Sequence, residues 1–138
     1  MSQILILAGA AIYGVLGTLH LACTFFTTRF DPRDANVARA MRSTSPRLTR
    51  DTTMWKAWIG FNASHSLGAM LFSAVYLLLA ATHMEVLRHT PTLVWLAGLA
   101  SAAYVVLAIR YWFKIPLAGT ALATSCFVTG ALTMSLGY

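Results

Sequence analysis

ILILAGAAIYGVLGTLHLACTFF, residues 4–26, contains no charged side chain. At a rise of 1.5 Å per residue, a helix of about 23 residues crosses a hydrocarbon core of roughly 30 Å, so this stretch predicts a membrane span. A cleaved signal peptide wants a basic start, a shorter apolar centre and a small-residue cleavage site. Met1, Ser2 and Gln3 supply no basic side chain and no A-x-A sequence follows, so the run is expected to stay in the membrane. Leu21-Ala22-Cys23 has the outline of a lipoprotein site, but His20 precedes it and the basic start is missing.

Working outward, residues 55–81, 93–111 and 116–138 form three further apolar runs of spanning length. Short hinges separate them. Residues 82–92 contain Glu85, Arg88 and Pro91, while Phe113-Lys114-Ile115-Pro116 reads as a tight reversal whose proline suits a first helical turn. Of 138 residues, 58% are hydrophobic and 10% charged, with mean hydropathy +0.68, whereas soluble domains carry about 25% charged residues. The chain reads as one integral membrane domain, residues 1–138. The formal charge of +6 would suggest nucleic acid in a soluble protein. Here the basic residues sit beside apolar runs, so membrane lipids with anionic headgroups are the expected partner and no nucleic acid is.

Basic residues near helix ends set direction. Arg29, Arg33, Arg39, Arg42, Arg47, Arg50 and Lys56 flank the first connection, Arg110 and Lys114 the third, and only Arg88 the second. The first and third connections are therefore expected to face the cytoplasm, with both termini extracytoplasmic. Trp55, Trp58, Tyr111, Trp112 and Phe113 cluster near that same boundary, where amphipathic rings are favoured. Within the first connection, Asp31-Pro32-Arg33-Asp34 resembles a helix start, with Asp31 as cap and Asp34 complementing the dipole. Val37 and Met41 then share a face opposite several arginines until Ser45-Pro46, which suggests a short interfacial helix; a solvated basic loop is the alternative. The expected fold class is an all-α membrane protein, a four-transmembrane-helix bundle.

Polar groups inside the bilayer need a reason, since a charged side chain there costs roughly 2.5–3.5 kcal/mol on insertion scales and a neutral imidazole less. Counting 1.5 Å per residue, His20 lies roughly 9 Å and His65 roughly 15 Å from the inner boundary, close enough in depth to meet. Trp58, Asn62, His65, Ala69 and Phe72 follow one helical face, with Ser64, Ser66 and Ser73 on the same helix; Tyr13, Gly17, His20 and Thr24 form a stripe on the first run. The fourth run offers Thr120, Thr124, Cys126 and Thr129, and the third Ser101, Tyr104 and Arg110. Such groups often serve as interhelical glue worth about 1 kcal/mol each. The functional reading is a ligand site opening from the inner leaflet, lined by His20, Asn62, His65 and Tyr104, with Arg110 for an anionic headgroup or snorkelling to the interface.

Two histidines on separate helices also admit haem or metal ligation, with Cys126 at similar depth. HExxH, CxxC and CxxCH are absent, however, and no metal ligand is assigned. His83, His89 and Glu85 read as solvated loop residues. Cys23 and Cys126 differ by roughly 10 Å in depth, too far for a disulfide. Gly98 with Ala102 and Ala123 with Gly130 read as packing surfaces.

The segment Thr53-Met54-Trp55-Lys56-Ala57-Trp58-Ile59-Gly60-Phe61-Asn62-Ala63-Ser64-His65-Ser66-Leu67-Gly68 resembles that of an uncharacterised family of small four-helix bacterial membrane proteins carrying W-K-A-x-x-G-F-N-x-S-H-S-L-G. Gly17-Thr18-Leu19-His20 with Thr24-Phe25-Phe26, residues 45–50, and Arg110-Tyr111-Trp112-Phe113-Lys114-Ile115-Pro116 extend the resemblance over nearly the whole chain. It implies a bacterial inner (cytoplasmic) membrane and transfers no catalytic residue. The acidic and arginine-rich intramembrane pattern of the four-helix eicosanoid and glutathione enzymes is missing. The expectation is an accessory membrane protein, a homo-oligomer or a subunit of a larger complex, that binds a lipid-like or quinone-like molecule between its helices near the inner leaflet. The alternatives are a membrane enzyme using His65 or His20 as general acid/base near Tyr104, a haem or metal protein, and a supernumerary subunit.

Overall fold

The computed structural model describes residues 1–136, so the last two residues of the run 116–138 lie outside the described residues. Six helices follow in order: α1 (Ser2–Phe26), α2 (Ala35–Ser43), α3 (Met54–Thr82), α4 (Met84–His89), α5 (Thr92–Tyr111) and α6 (Lys114–Ser135). No strand occurs among the described residues. α1, α3, α5 and α6 are long and apolar enough to cross a membrane, and the chain fits an all-α, multi-pass membrane protein. The surface is consistent with this. Ile4, Phe61, Leu71, Leu99 and Ile109 are each about two-thirds exposed or more, an arrangement that is an aggregation hazard in water and costs nothing against acyl chains.

Backbone chemistry sets the helix limits. Before α6, Phe113 is extended (φ −117°, ψ 176°), and Pro116 falls in the first turn, where its missing N–H needs no partner. The connection between α3 and α5, expected as a plain hinge, holds the one-and-a-half turns of α4, and its Leu87 is fully buried. α2 begins three residues later than the Asp31 cap expected. A turn closed by the Asp31 N–H donating to the Thr28 carbonyl at 3.1 Å takes up residues 28–31. Asp34 is the cap, accepting the Asn36 N–H at 2.8 Å.

The chain divides into two compact units, Met1–Leu16 with Ala69–Tyr138, and Gly17–Gly68. In the first, the beginning of α1, the end of α3, α4, α5 and α6 enclose a core of Ile6, Ala10, Tyr13, Tyr76, Leu87, Val94, Ala97, Ala123, Phe127 and Ala131. Lipid offers no hydrophobic drive for helix association, so close van der Waals packing has to supply it. Small residues permit the approach. A Cβ on Gly9 would stand 3.0 Å from the Phe127 ring and 3.2 Å from the Ala123 carbonyl oxygen. The Phe127 ring meets Phe72 and Tyr76 edge-on, each at 5.6 Å between centroids. Gly98, Ala123 and Gly130, expected as packing positions, are all buried here, Gly98 against Val128 and Gly130 against Ile6.

A polar chain runs through this core. The Tyr13 hydroxyl bonds Ser101 Oγ at 2.8 Å, Ser101 Oγ bonds Thr124 Oγ1 at 2.8 Å, and Thr124 Oγ1 donates to the Thr120 carbonyl at 2.8 Å. Gln3 Nε2 donates to the Ala80 carbonyl at 2.8 Å and the Tyr76 hydroxyl to the Leu93 carbonyl at 2.7 Å. Gly9→Val, which drives two methyl groups into Phe127 and the Ala123 backbone, is expected to cost about 1–3 kcal/mol, lowering the midpoint of thermal unfolding in detergent. Nothing lies within 4 Å of a Cβ at Gly68, so Gly68→Ala should leave that midpoint unchanged or raise it.

Candidate functional site

The second unit is a helical hairpin, the end of α1 and the start of α3, joined by the arginine-rich connection that contains α2. Three contacts brace the connection. Trp58 Nε1–H donates to the Phe30 carbonyl at 3.2 Å, the Met54 N–H donates to the Thr44 carbonyl at 2.8 Å, and the Arg42 guanidinium lies 4.7 Å from the centroid of the Trp55 ring. Phe30 is thereby held over the site, its ring 4.5 Å from that of His20.

His20, Asn62 and His65 come together in this hairpin. Gly17, one turn before His20, is buried, and so is Asn62. His20 Nε2 lies 2.9 Å from Asn62 Oδ1, and the His20 and His65 rings meet edge to face with centroids 5.2 Å apart. The surrounding hydroxyls are spent locally: Thr24 donates to the His20 carbonyl at 2.8 Å and Ser66 to the Asn62 carbonyl at 2.9 Å. These i−4 back-bonds satisfy hydroxyls that lipid would otherwise leave unpaired.

The hydrogen bonds decide the state of His20. Asn62 Nδ2 donates to the Trp58 carbonyl at 2.8 Å. A carbonyl can only accept, so the amide nitrogen must face Trp58 and the amide oxygen must face His20. That oxygen can only accept in turn, so His20 Nε2 carries a proton. In the neutral imidazole Nδ1 then presents a bare lone pair, and it takes no hydrogen bond among the described residues. A base or acceptor of fixed tautomer therefore stands beside a second imidazole.

The other expected lining residues belong to the first unit. Tyr104 packs edge-on to Tyr13 at 5.7 Å and tilted against Trp112 at 6.0 Å, and Arg110 is an exposed residue in the last turn of α5. Tyr13, grouped by spacing with His20, instead heads the Ser101 and Thr124 chain. Sequence reasoning missed Phe30 altogether. Its signal was a large aromatic side chain standing alone in a polar, arginine-rich connection.

Among the described residues, no three His, Cys, Asp or Glu side chains are grouped so as to hold a metal ion, and Cys23 and Cys126 are free thiols. His89 and Glu85 form an exposed i,i+4 contact at 3.9 Å in α4. The four side-chain carboxylates, at positions 31, 34, 51 and 85, all lie outside the long helices, so acid/base chemistry between the helical segments of the hairpin would rest on the imidazoles. No family model, curated protein or solved structure matches the chain.

Nitrogen-15 spectra of histidine-labelled protein are expected to show the neutral form of His20 protonated at Nε2 and bare at Nδ1. Asn62→Leu should release this lock and allow both tautomers. A His20 signal already mixed in the parent protein would contradict the assignment.

Proposed function

We propose that this protein is an accessory component of a bacterial inner membrane that binds a lipid-like or quinone-like molecule at the His20, Asn62 and His65 hairpin. The observation that carries this reading is the tautomer-fixed His20, whose Nδ1 lone pair is left to accept a hydrogen bond while Asn62 holds the ring from behind. A hydroxyl-bearing head, such as a quinol or a glycerol hydroxyl, supplies the matching donor, and its apolar tail meets the same acyl environment as the exposed helix faces. Phe30 and Trp58 line the approach with aromatic surface. Tyr104 and Arg110 were expected in this lining, and the proposal rests on His20, Asn62 and His65 alone.

Orientation follows from charge. Seven basic residues flank the connection between α1 and α3, two flank that between α5 and α6, and one lies in that between α3 and α5, which favours a cytoplasmic position for the first two and an extracytoplasmic one for residue 1. The site then lies nearer the inner leaflet. The resemblance to small four-helix bacterial membrane proteins supports the same membrane.

Native mass spectrometry of gently purified protein should reveal a retained small molecule. His20→Ala and His65→Ala should each reduce its occupancy at least several-fold, corresponding to the loss of about one hydrogen bond. Retained molecules, thermal stability and oligomeric state all unchanged in both variants would remove the site. A larger complex recovered in mild detergent would identify the chain as a subunit, and the same variants would test the pocket there. In cells, Asn36→Cys, made with Cys23→Ala and Cys126→Ala, is expected to react with membrane-impermeant maleimide only after the inner membrane is opened; labelling in intact spheroplasts would reverse the orientation.

A further inference from the structure

The connection between α1 and α3 carries six arginines against three aspartates, and two of the three carboxylates take hydrogen bonds from their own neighbours. Asp34 accepts the Asn36 N–H and Asp51 accepts the Thr49 hydroxyl. Among the described residues the ion pair within 4.0 Å is that of His89 with Glu85, so Arg29, Arg33, Arg39, Arg47 and Arg50, all exposed, have no carboxylate partner there.

One side chain in this region departs from the pattern of a solvated loop. Leu48, between Arg47 and Arg50, is 94% exposed. Its turn is held by its own hydrogen bonds, Thr49 N–H to the Pro46 carbonyl at 3.3 Å and Asp51 N–H to Thr49 Oγ1 at 3.1 Å, so the leucine is presented rather than folded back. Other large apolar groups are exposed in the same unit at the end of α1 and on α2: Phe25, Phe26 (85%) and Val37.

From these features we infer that residues 27–53 dock on the anionic surface of the bilayer the chain is embedded in, with Leu48 inserted among the acyl chains just below the headgroups and Arg47 and Arg50 paired with lipid phosphates. The chemistry is complementary on both counts. Unpaired guanidinium groups meet phosphate through paired N–H donors, and an apolar tip between them needs a medium that becomes hydrocarbon within a few ångströms of the charge layer. An acidic protein or a nucleic acid satisfies the arginines and leaves Leu48 in water; a membrane interface satisfies both. The inference is independent of the ligand proposed at His20.

The test uses the full chain in lipid nanodiscs. Leu48→Cys, made with Cys23→Ala and Cys126→Ala, carries an environment-sensitive fluorophore. In discs containing about one-third phosphatidylglycerol, its emission should shift to the blue and be quenched by lipids spin-labelled near the top of the acyl chain. In phosphatidylcholine discs, in high salt, or with Arg47→Gln and Arg50→Gln together, the probe should return towards its aqueous emission, with quenching reduced several-fold. A water-like probe in both membranes overturns the proposal. So does a probe equally buried in both, which would deny the arginines their role, or a shift that appears only when an acidic protein or an oligonucleotide is added.

Discussion

Hydrocarbon has no hydrogen-bonding groups, so each polar atom that enters it must find its partner within the chain. This demand organises the described structure. Four long helices close their own backbone bonds, and no buried side-chain nitrogen or oxygen among the described residues is left without a partner. The demand reaches the side chains by two routes. Ser66, Thr24, Thr120 and Thr124 return their hydroxyl protons to carbonyls one turn back on their own helices. Tyr13 with Ser101, and His20 with Asn62, instead bond across elements and so determine which helix faces meet.

The two units meet that demand with different materials. The first is dominated by alanine, glycine and aromatic rings packed at van der Waals distance, with one polar chain through its centre. The second is thinner in buried apolar groups and richer in amide, imidazole and indole. An apolar core specifies packing. A polar cluster specifies atom positions, which is what recognition of a ligand requires. The hairpin is thus the better placed of the two to recognise a molecule by its polar atoms.

Much of this was legible in the order of residues because bilayer thickness is a fixed ruler. Apolar runs of about 20 residues with at most one charge near an end are long enough to span, and the four long helices occupy those runs. The meeting of His20, Asn62 and His65 was legible too, since depth counted along each run and helical periodicity both pointed there. What escaped was set by short-range competition rather than by periodicity. The turn ending at Asp31 displaced the start of α2 to Asp34. α4 is too short to show a period, yet one buried leucine fixes it. Tyr13 lies on the same stripe as His20, but the hydroxyl found Ser101, and stripe membership cannot say which neighbouring helix a long side chain reaches. Phe30 was hidden because its role depends on an indole 28 residues later.

The Asn62 amide has one more consequence. Its nitrogen gives to Trp58 and its oxygen takes from His20, so hydrogen bonding runs in a single direction from imidazole through amide to backbone and ends at a carbonyl that cannot pass a proton on. A hydrogen ion arriving at Nδ1 of His20 cannot be handed on through Asn62. Along that branch the hairpin is a cul-de-sac for charge movement.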